Sequence, residues 1–133
     1  MAASSHLLLI DPEFAEGLAD LDGFSHLILV YHLHLASPAR LVVTPFLDEV
    51  QHGIFATRSP ARPNPIGIST VRLAGIDGTT LDVLDVDMVD GTPLLDIKPY
   101  VPVFDDRDAA RIGWFDGALD RREGATADDR FET

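Results

Sequence analysis

At 133 residues and 14.5 kDa the chain has the size of one domain, and its 46% hydrophobic and 24% charged residues suffice for a core, which excludes wholesale disorder. Ten basic against 22 acidic side chains give a formal charge of −12, so long-range attraction to nucleic acid is excluded and any such role must rest on locally gathered arginines. The absence of cysteine excludes disulfide scaffolds and thiolate metal or nucleophile chemistry.

From the N-terminus, Met1 to His6 offers no basic leader ahead of the apolar run Leu7–Ile10, so it does not read as a secretion signal. Asp11-Pro12-Glu13 has a cap, a proline at the first helical position and an early acid, which predicts one or two helical turns. Leu27 to Ala36 is nearly uncharged but is interrupted by His32 and His34 and falls short of the ~20 apolar residues of a membrane span. The expected location is cytoplasmic, with no membrane partner.

Elsewhere Gly and Pro punctuate short stretches with an apolar period of two, the pattern of an all-β sandwich or barrel. The predicted strands are His6–Ile10, Phe24–Leu35, Leu41–Thr44, Gly53–Thr57, Ile68–Ala74, Thr80–Met88 and Leu94–Lys98. Leu27–Leu35 is apolar on both faces and is expected to be central or intersubunit. Asp77-Gly78 marks a hairpin turn. Between Thr80 and Asp90 the apolar phase slips, and a β-bulge near Leu84 would reconcile the two halves. Residues 1–118 read as one β domain and 119–133 as a charged tail, frayed or draped on a partner.

The densest segment runs from Gly53 to Ser69 through Thr57-Arg58-Ser59-Pro60-Ala61-Arg62-Pro63-Asn64-Pro65-Ile66-Gly67-Ile68. Its prolines fix their own φ and extend their predecessors, so the loop is stiff before a ligand arrives and loses little entropy on binding. Arg58 and Arg62 offer planar forks for a carboxylate, a phosphate or an adenine face, and Gly67 permits close backbone approach. Arg58, Arg62, Asn64 and Gly67 are the loop's candidate binding positions. A purely structural connection would have little use for two arginines.

A second segment runs from Asp85 to Pro102. Asp90-Gly91 is a turn signal, so a strand ending in carboxylates is expected to reverse into one ending at Lys98-Pro99-Tyr100. Carboxylates there can hold a ribose, a cationic ligand or a proton in transit. Turn-capping aspartates and a Lys98–Asp96 pair account for the same pattern without a ligand.

Other chemistries lack support. His32 and His34 would share one face of a strand, but no third ligand has obvious spacing, and no metal is expected. Dinucleotide, phosphate-loop, zincin and hydrolase-elbow motifs are missing. Trp114 and Phe115 read as core or interface residues.

Three stretches in this order, Asp22-Gly23-Phe24-Ser25-His26-Leu27, Gly53–Ser69, and Asp90-Gly91-Thr92-Pro93 leading to Asp96-Ile97-Lys98-Pro99-Tyr100, resemble the TsaA-like (TrmO) family over nearly all of residues 11–118. The resemblance implies a small β-barrel with short helical turns, usually a homodimer, that uses S-adenosylmethionine without a Rossmann domain. It also implies a tRNA substrate, methylated on N6 of threonylcarbamoyladenosine beside the anticodon.

Position by position, the resemblance places cofactor contacts at His34, Leu35, Arg58, Ile68 after Gly67, and the run Leu84, Asp85, Val86 and Asp87. An imidazole and a guanidinium suit the methionine carboxylate or the adenine face, while Asp85 or Asp87 suits a sulfonium or ribose hydroxyls. The target nitrogen must lose a proton, for which Asp90, Asp96 or Tyr100 are the candidates, with Lys98 positioning them or meeting RNA. Family members usually begin with a further strand and an arginine-glutamine element, for which Met1–Ile10 offers no counterpart. A non-catalytic module that binds an adenosyl ligand, RNA or a protein is therefore the competing expectation.

Overall fold

The computed structural model describes residues 5–46, 48–108 and 111–119. Among the described residues seven strands are formed: β1 (Ser5–Leu9), β2 (His26–His32), β3 (Val42–Val43), β4 (His52–Gly53), β5 (Ile66–Asp77), β6 (Thr80–Leu84) and β7 (Leu94–Pro99). They are joined by short 3-10 turns and by two four-residue helical segments, α1 (Pro102–Asp105) and α2 (Phe115–Ala118). The expected tail lies outside the described residues except for Leu119.

The described residues divide into two compact units. One carries the chain up to His32 together with Gly67–Asp106, and the other Leu33–Ile66 together with the described residues after Asp106.

The first unit is a five-stranded sheet in the order β1-β6-β5-β2-β7. Its period-two sequences put Leu27, Leu29 and Tyr31 of β2, Val71 of β5, and Leu81 and Val83 of β6 among the buried residues. Removing a side chain of this size from water stabilises by roughly 1.5–3 kcal/mol, so this inner face holds the sheet. β2 lies between β5 and β7, which explains why its other face also carries Ile28 and Val30. The pairs β1–β6, β2–β7 and β5–β6 are antiparallel. No pairing between the outer strands β1 and β7 closes the sheet among the described residues.

Asp77 pairs with Thr80 across a two-residue turn in which Gly78 has φ 61°, as Asp77-Gly78 predicts. Asp11 caps the 3-10 helix Pro12–Leu18, its carboxylate accepting from Glu13 N at 3.2 Å. The bulge expected near Leu84 is absent: β6 ends there, and Asp85 takes a left-handed conformation, φ 65°, that resets the phase so that Val86 is buried. The register shifts lie instead between Leu73 and Gly75 on β5 and between Val30 and Tyr31 on β2. Residues 85–89 are consequently not strand, although Gly91, φ 81°, makes the expected turn with Thr92 N donating to Val89 O at 3.2 Å.

The second unit holds the β3–β4 ladder, with Val43, Pro45, Ile54, Ala61 and Ala118 buried. Gly53–Thr57, expected as a strand, is strand only at Gly53, and Ile54–Ala56 forms a 3-10 turn. Thr57 closes that turn through its own hydroxyl, which donates to Ile54 O at 2.9 Å. His34 lies beyond the end of β2, so His32 and His34 do not share a strand face.

Candidate functional site

The proline-braced loop is locked by its own polar groups. Thr57, Ser59, Pro60 and Ala61 are buried, and Ser59 N donates to the Thr57 hydroxyl at 3.2 Å. Arg62 Nη1 reaches back to two carbonyls, Thr57 O at 2.7 Å and Ser59 O at 3.2 Å, and its guanidinium stands 5.9 Å from the centre of the Phe55 ring. One nitrogen of the Arg62 fork is thus engaged in holding the loop. Arg58 is exposed, and its guanidinium makes no hydrogen bond or ion pair among the described residues. Stiff backbone presents that cation to solvent, as a preformed anion-binding group would be presented. Asn64 is exposed, and its carbonyl accepts from Ile66 N at 2.8 Å.

His34 and Leu35 belong to the same unit, in a turn where Leu33 N donates to Pro65 O at 2.7 Å and Ala36 N to Leu33 O at 3.1 Å. Leu35 is 63% exposed, an apolar side chain facing solvent.

The remaining candidates lie in the first unit. Gly67 does not receive a ligand at its Cα face: a methyl there would stand 2.4 Å from Tyr31 Cε2. The close approach expected of this glycine is made by an aromatic ring of the core. Ile68 points outward, 62% exposed. Leu84 is half-buried and Val86 buried, while Asp85 and Asp87 between and beyond them are exposed. Asp85 meets Arg72 Nε at 3.3 Å, with both side chains about half exposed, so the pair contributes little to stability. Asp87 and Asp90 make no side-chain bond among the described residues.

Asp96 and Lys98 share one face of β7 and form an ion pair of 2.8 Å. The Lys98 hydrogen bond, with a further bond from Ile97 N, holds the Asp96 carboxyl below its usual range, and Asp96 in turn raises Lys98. Tyr100 donates its hydroxyl to Asp106, which holds the phenol in its neutral form and raises it. An acid made stronger and a phenol made weaker are poor direct bases, although the Tyr100–Asp106 pair can hand a proton onward.

Two features carried no sequence signal. His52 stacks on Trp114 at 4.6 Å between ring centres and Trp114 on Phe115 at 4.0 Å, while Trp114 Nε1 donates to Ala56 O at 2.7 Å. Arg40, a lone arginine in a Ser-Pro-Ala-Arg stretch, lines a cavity of the second unit. Among the described residues no group of three His, Asp or Glu side chains is arranged to hold a metal ion, and no helix is long and apolar enough to cross a membrane.

Residues 1–106 match the tRNA-methyltransferase O N-terminal domain. The chain is 58% identical over 120 residues to a probable S-adenosyl-L-methionine-binding protein of Pyrococcus abyssi, a match covering 90% of this chain and 65% of that one. It is 44% identical over 92 residues to the tRNA (adenine(37)-N6)-methyltransferase of Mus musculus, covering 66% of this chain and 21% of the mouse protein. The crystal structure of TrmO from Pseudomonas aeruginosa superposes with a TM-score of 0.68 at 40% identity, over 83% of this chain and 48% of that chain. In each case the chain spans less than two thirds of the relative's length.

Proposed function

Because the chain belongs to the tRNA-methyltransferase O N-terminal domain family, we propose that it binds S-adenosylmethionine and methylates N6 of threonylcarbamoyladenosine beside the anticodon of tRNA. The observation that carries this reading is Arg58, an exposed guanidinium without a partner among the described residues, on a loop that Arg62, Thr57 and three prolines have already stiffened. Each unit carries groups that suit the cofactor. The second has the Arg58 guanidinium for its carboxylate and His34 and Leu35 for its adenine, and the first has Asp85 and Asp87 for its ribose or sulfonium, with Ile68, Leu84 and Val86 as the further proposed contacts. When bound, the cofactor supplies an electrophilic methyl group. The chain's own task is to align the adenine nitrogen, exclude competing water and accept the N6 proton. Asp90, Asp96 and Tyr100 are the proposed acceptors, with Lys98 positioning Asp96. Of these, Tyr100 can release its own proton to Asp106 as it takes up another.

The same proposal places the protein in the cytoplasm as a homodimer whose sheet is completed into a barrel. Leu7 and Leu9 on the edge strand β1, and Ile66 and Ile68 on the outward face of β5, are exposed apolar residues that a second copy would cover.

A second reading, a non-catalytic module that binds an adenosyl ligand, RNA or a protein, is favoured by the engagement of Asp96 with Lys98, and the charge of −12 favours its adenosyl-ligand and protein forms over RNA. One experiment separates them. The purified chain is incubated with labelled S-adenosylmethionine and threonylcarbamoylated tRNA, and the digested nucleosides are analysed by mass spectrometry. Methylated threonylcarbamoyladenosine is the expected product. Its absence, with calorimetric binding of S-adenosylhomocysteine intact, would leave the binding module.

A further inference from the structure

The family match covers residues 1–106, yet the second unit includes described residues that lie beyond it. Residues 112–118 form a short run of tight turns there, Phe115 N donating to Ile112 O at 3.2 Å and Asp116 N to Gly113 O at 3.0 Å. The run is attached at two places. Trp114 and Phe115 are half-buried at the first, and Ala118, 1% exposed, is enclosed at the second.

The first attachment is aromatic and polar together. The Trp114 indole stacks on His52 at 4.6 Å with 14° between the planes, and Phe115 stacks on Trp114 at 4.0 Å and 24°. The imidazole is itself held: Asp48 Oδ2 lies 2.7 Å from His52 Nε2, while Asp48 Oδ1 accepts from Glu49 N at 2.7 Å and Val50 N at 3.3 Å. Stacked rings attract beyond their area burial, and a ring fixed in advance loses little rotamer freedom when another docks on it.

Trp114 Nε1 also donates to Ala56 O at 2.7 Å, across 58 positions of sequence. Ala56 ends the Ile54–Ala56 turn, and the residues after it are fixed one from another. The Thr57 hydroxyl donates to Ile54 O at 2.9 Å, Ser59 N donates to that hydroxyl at 3.2 Å, and Arg62 Nη1 reaches Thr57 O at 2.7 Å and Ser59 O at 3.2 Å. Arg58 stands between Thr57 and Ser59. The indole bond enters this series of contacts from a distant part of the chain, at its first turn.

We propose that residues 112–118 act as a strap that holds the Arg58 loop in its binding conformation, with Trp114 as the positioning residue, an inference that rests on the reading of Arg58 as a cofactor contact. The indole N–H keeps the Ala56 carbonyl, and with it the peptide entering Thr57, in one orientation before a ligand arrives. The guanidinium two residues on is then presented at a lower entropic cost. By linkage, a ligand held by Arg58 holds the strap in return.

The test uses the full chain, Trp114→Phe, Arg58→Ala and the double variant. Phenylalanine keeps an aromatic face for His52 but has no N–H to give Ala56. Calorimetry is expected to show S-adenosylhomocysteine binding weakened about three- to tenfold by Trp114→Phe, the span of one lost hydrogen bond, and no further weakening by it once Arg58→Ala is present. A tryptophan that only stabilised the unit would not depend on Arg58 in this way. Additive losses, or an unchanged affinity in Trp114→Phe, overturn the proposal. Amide hydrogen exchange on the ligand-free protein reads the strap without the cofactor: Trp114→Phe should speed exchange at Thr57 and Ser59 about threefold or more and leave Leu29 and Val71 of the sheet as they are. Unchanged rates at Thr57 and Ser59 overturn it as well. Lack of S-adenosylhomocysteine binding by the natural chain, with exchange altered as expected, would instead count against the cofactor reading of Arg58 and leave the strap standing.

Discussion

Gly67 lies against the ring of Tyr31 so closely that a methyl on its Cα would stand 2.4 Å from Cε2 and 2.8 Å from Cζ. The ring is buried and cannot swing away without breaking the bond of its hydroxyl to Ser69 Oγ, 2.6 Å. Gly67→Ala should therefore destabilise by about 1–3 kcal/mol, the range of an overpacked core. Ser69→Ala should cost about 1 kcal/mol through the lost hydrogen bond. Gly75→Ala, with nothing within 4 Å of the added methyl, is the control. Urea denaturation ranks the three.

Arg58 and Arg62 should behave oppositely. Arg58→Ala is expected to weaken S-adenosylhomocysteine binding by about 1–3 kcal/mol, the range for a charge-assisted contact, with the melting temperature unchanged. Arg62→Ala removes the donor that Thr57 O and Ser59 O share, and should lower the melting temperature before it affects binding. Calorimetry and thermal unfolding on the two variants separate the ligand cation from the structural one. Equal loss of binding without loss of stability in both would contradict this division.

The Asp48–His52 contact, 2.7 Å, makes stability depend on acid. The His52 hydrogen bond, aided by the backbone N–H groups of Glu49 and Val50, lowers the Asp48 carboxyl from its ordinary value of 3.8. A lowered carboxyl contributes stability that is complete above the unfolded value and disappears as pH falls through the folded one. The melting-temperature difference between the natural chain and Asp48→Asn should be constant above about pH 5 and should vanish in stronger acid. A difference that grows on acidification would reverse the sign and refute the assignment.

Asp85 combines strain with exposure. Its φ of 65° lies in the left-handed region, where a β-branched side chain is penalised by roughly 1–2 kcal/mol and glycine is not. Asp85→Val should destabilise by about that amount. Asp85→Gly should leave stability close to the natural level, because the exposed Arg72 pair it loses is worth little. If the Asp85 carboxylate meets the cofactor, the glycine variant should still lose affinity for S-adenosylhomocysteine, an effect calorimetry reads directly.

Local turn chemistry was the most legible part of the sequence. Asp11-Pro12, Asp77-Gly78 and Asp90-Gly91 each encode a conformation within two or three residues, and each forms as its residue types require. The position of β2 between two neighbouring strands was equally plain from its two apolar faces, although which face would be the more buried was not. Asp85 escaped because an aspartate in the left-handed region has no neighbouring glycine to announce it, so a break in the strand looked like a bulge. Gly53–Thr57 looked extended because it is a short apolar run set off by a glycine, whereas the Thr57 hydroxyl bonds back and closes a tight turn.

At the candidate site, the stiffness of the proline loop could be inferred from φ restrictions alone. Which arginine it consumes could not, because the inward turn of Arg62 depends on where the Thr57 and Ser59 carbonyls point after folding. The engagement of Gly67 with Tyr31 was hidden for the same reason: the two lie 36 positions apart in the chain and meet only across paired strands.

Trp114 is the sole tryptophan, and its indole is stacked between His52 and Phe115 with its N–H donated to Ala56 O. The protein therefore carries a built-in, label-free fluorophore whose emission reports whether the stretch around residue 114 is seated on β4. Quenching by the adjacent imidazole would make that signal sensitive to displacement of a few ångströms, well before the sheet itself comes apart.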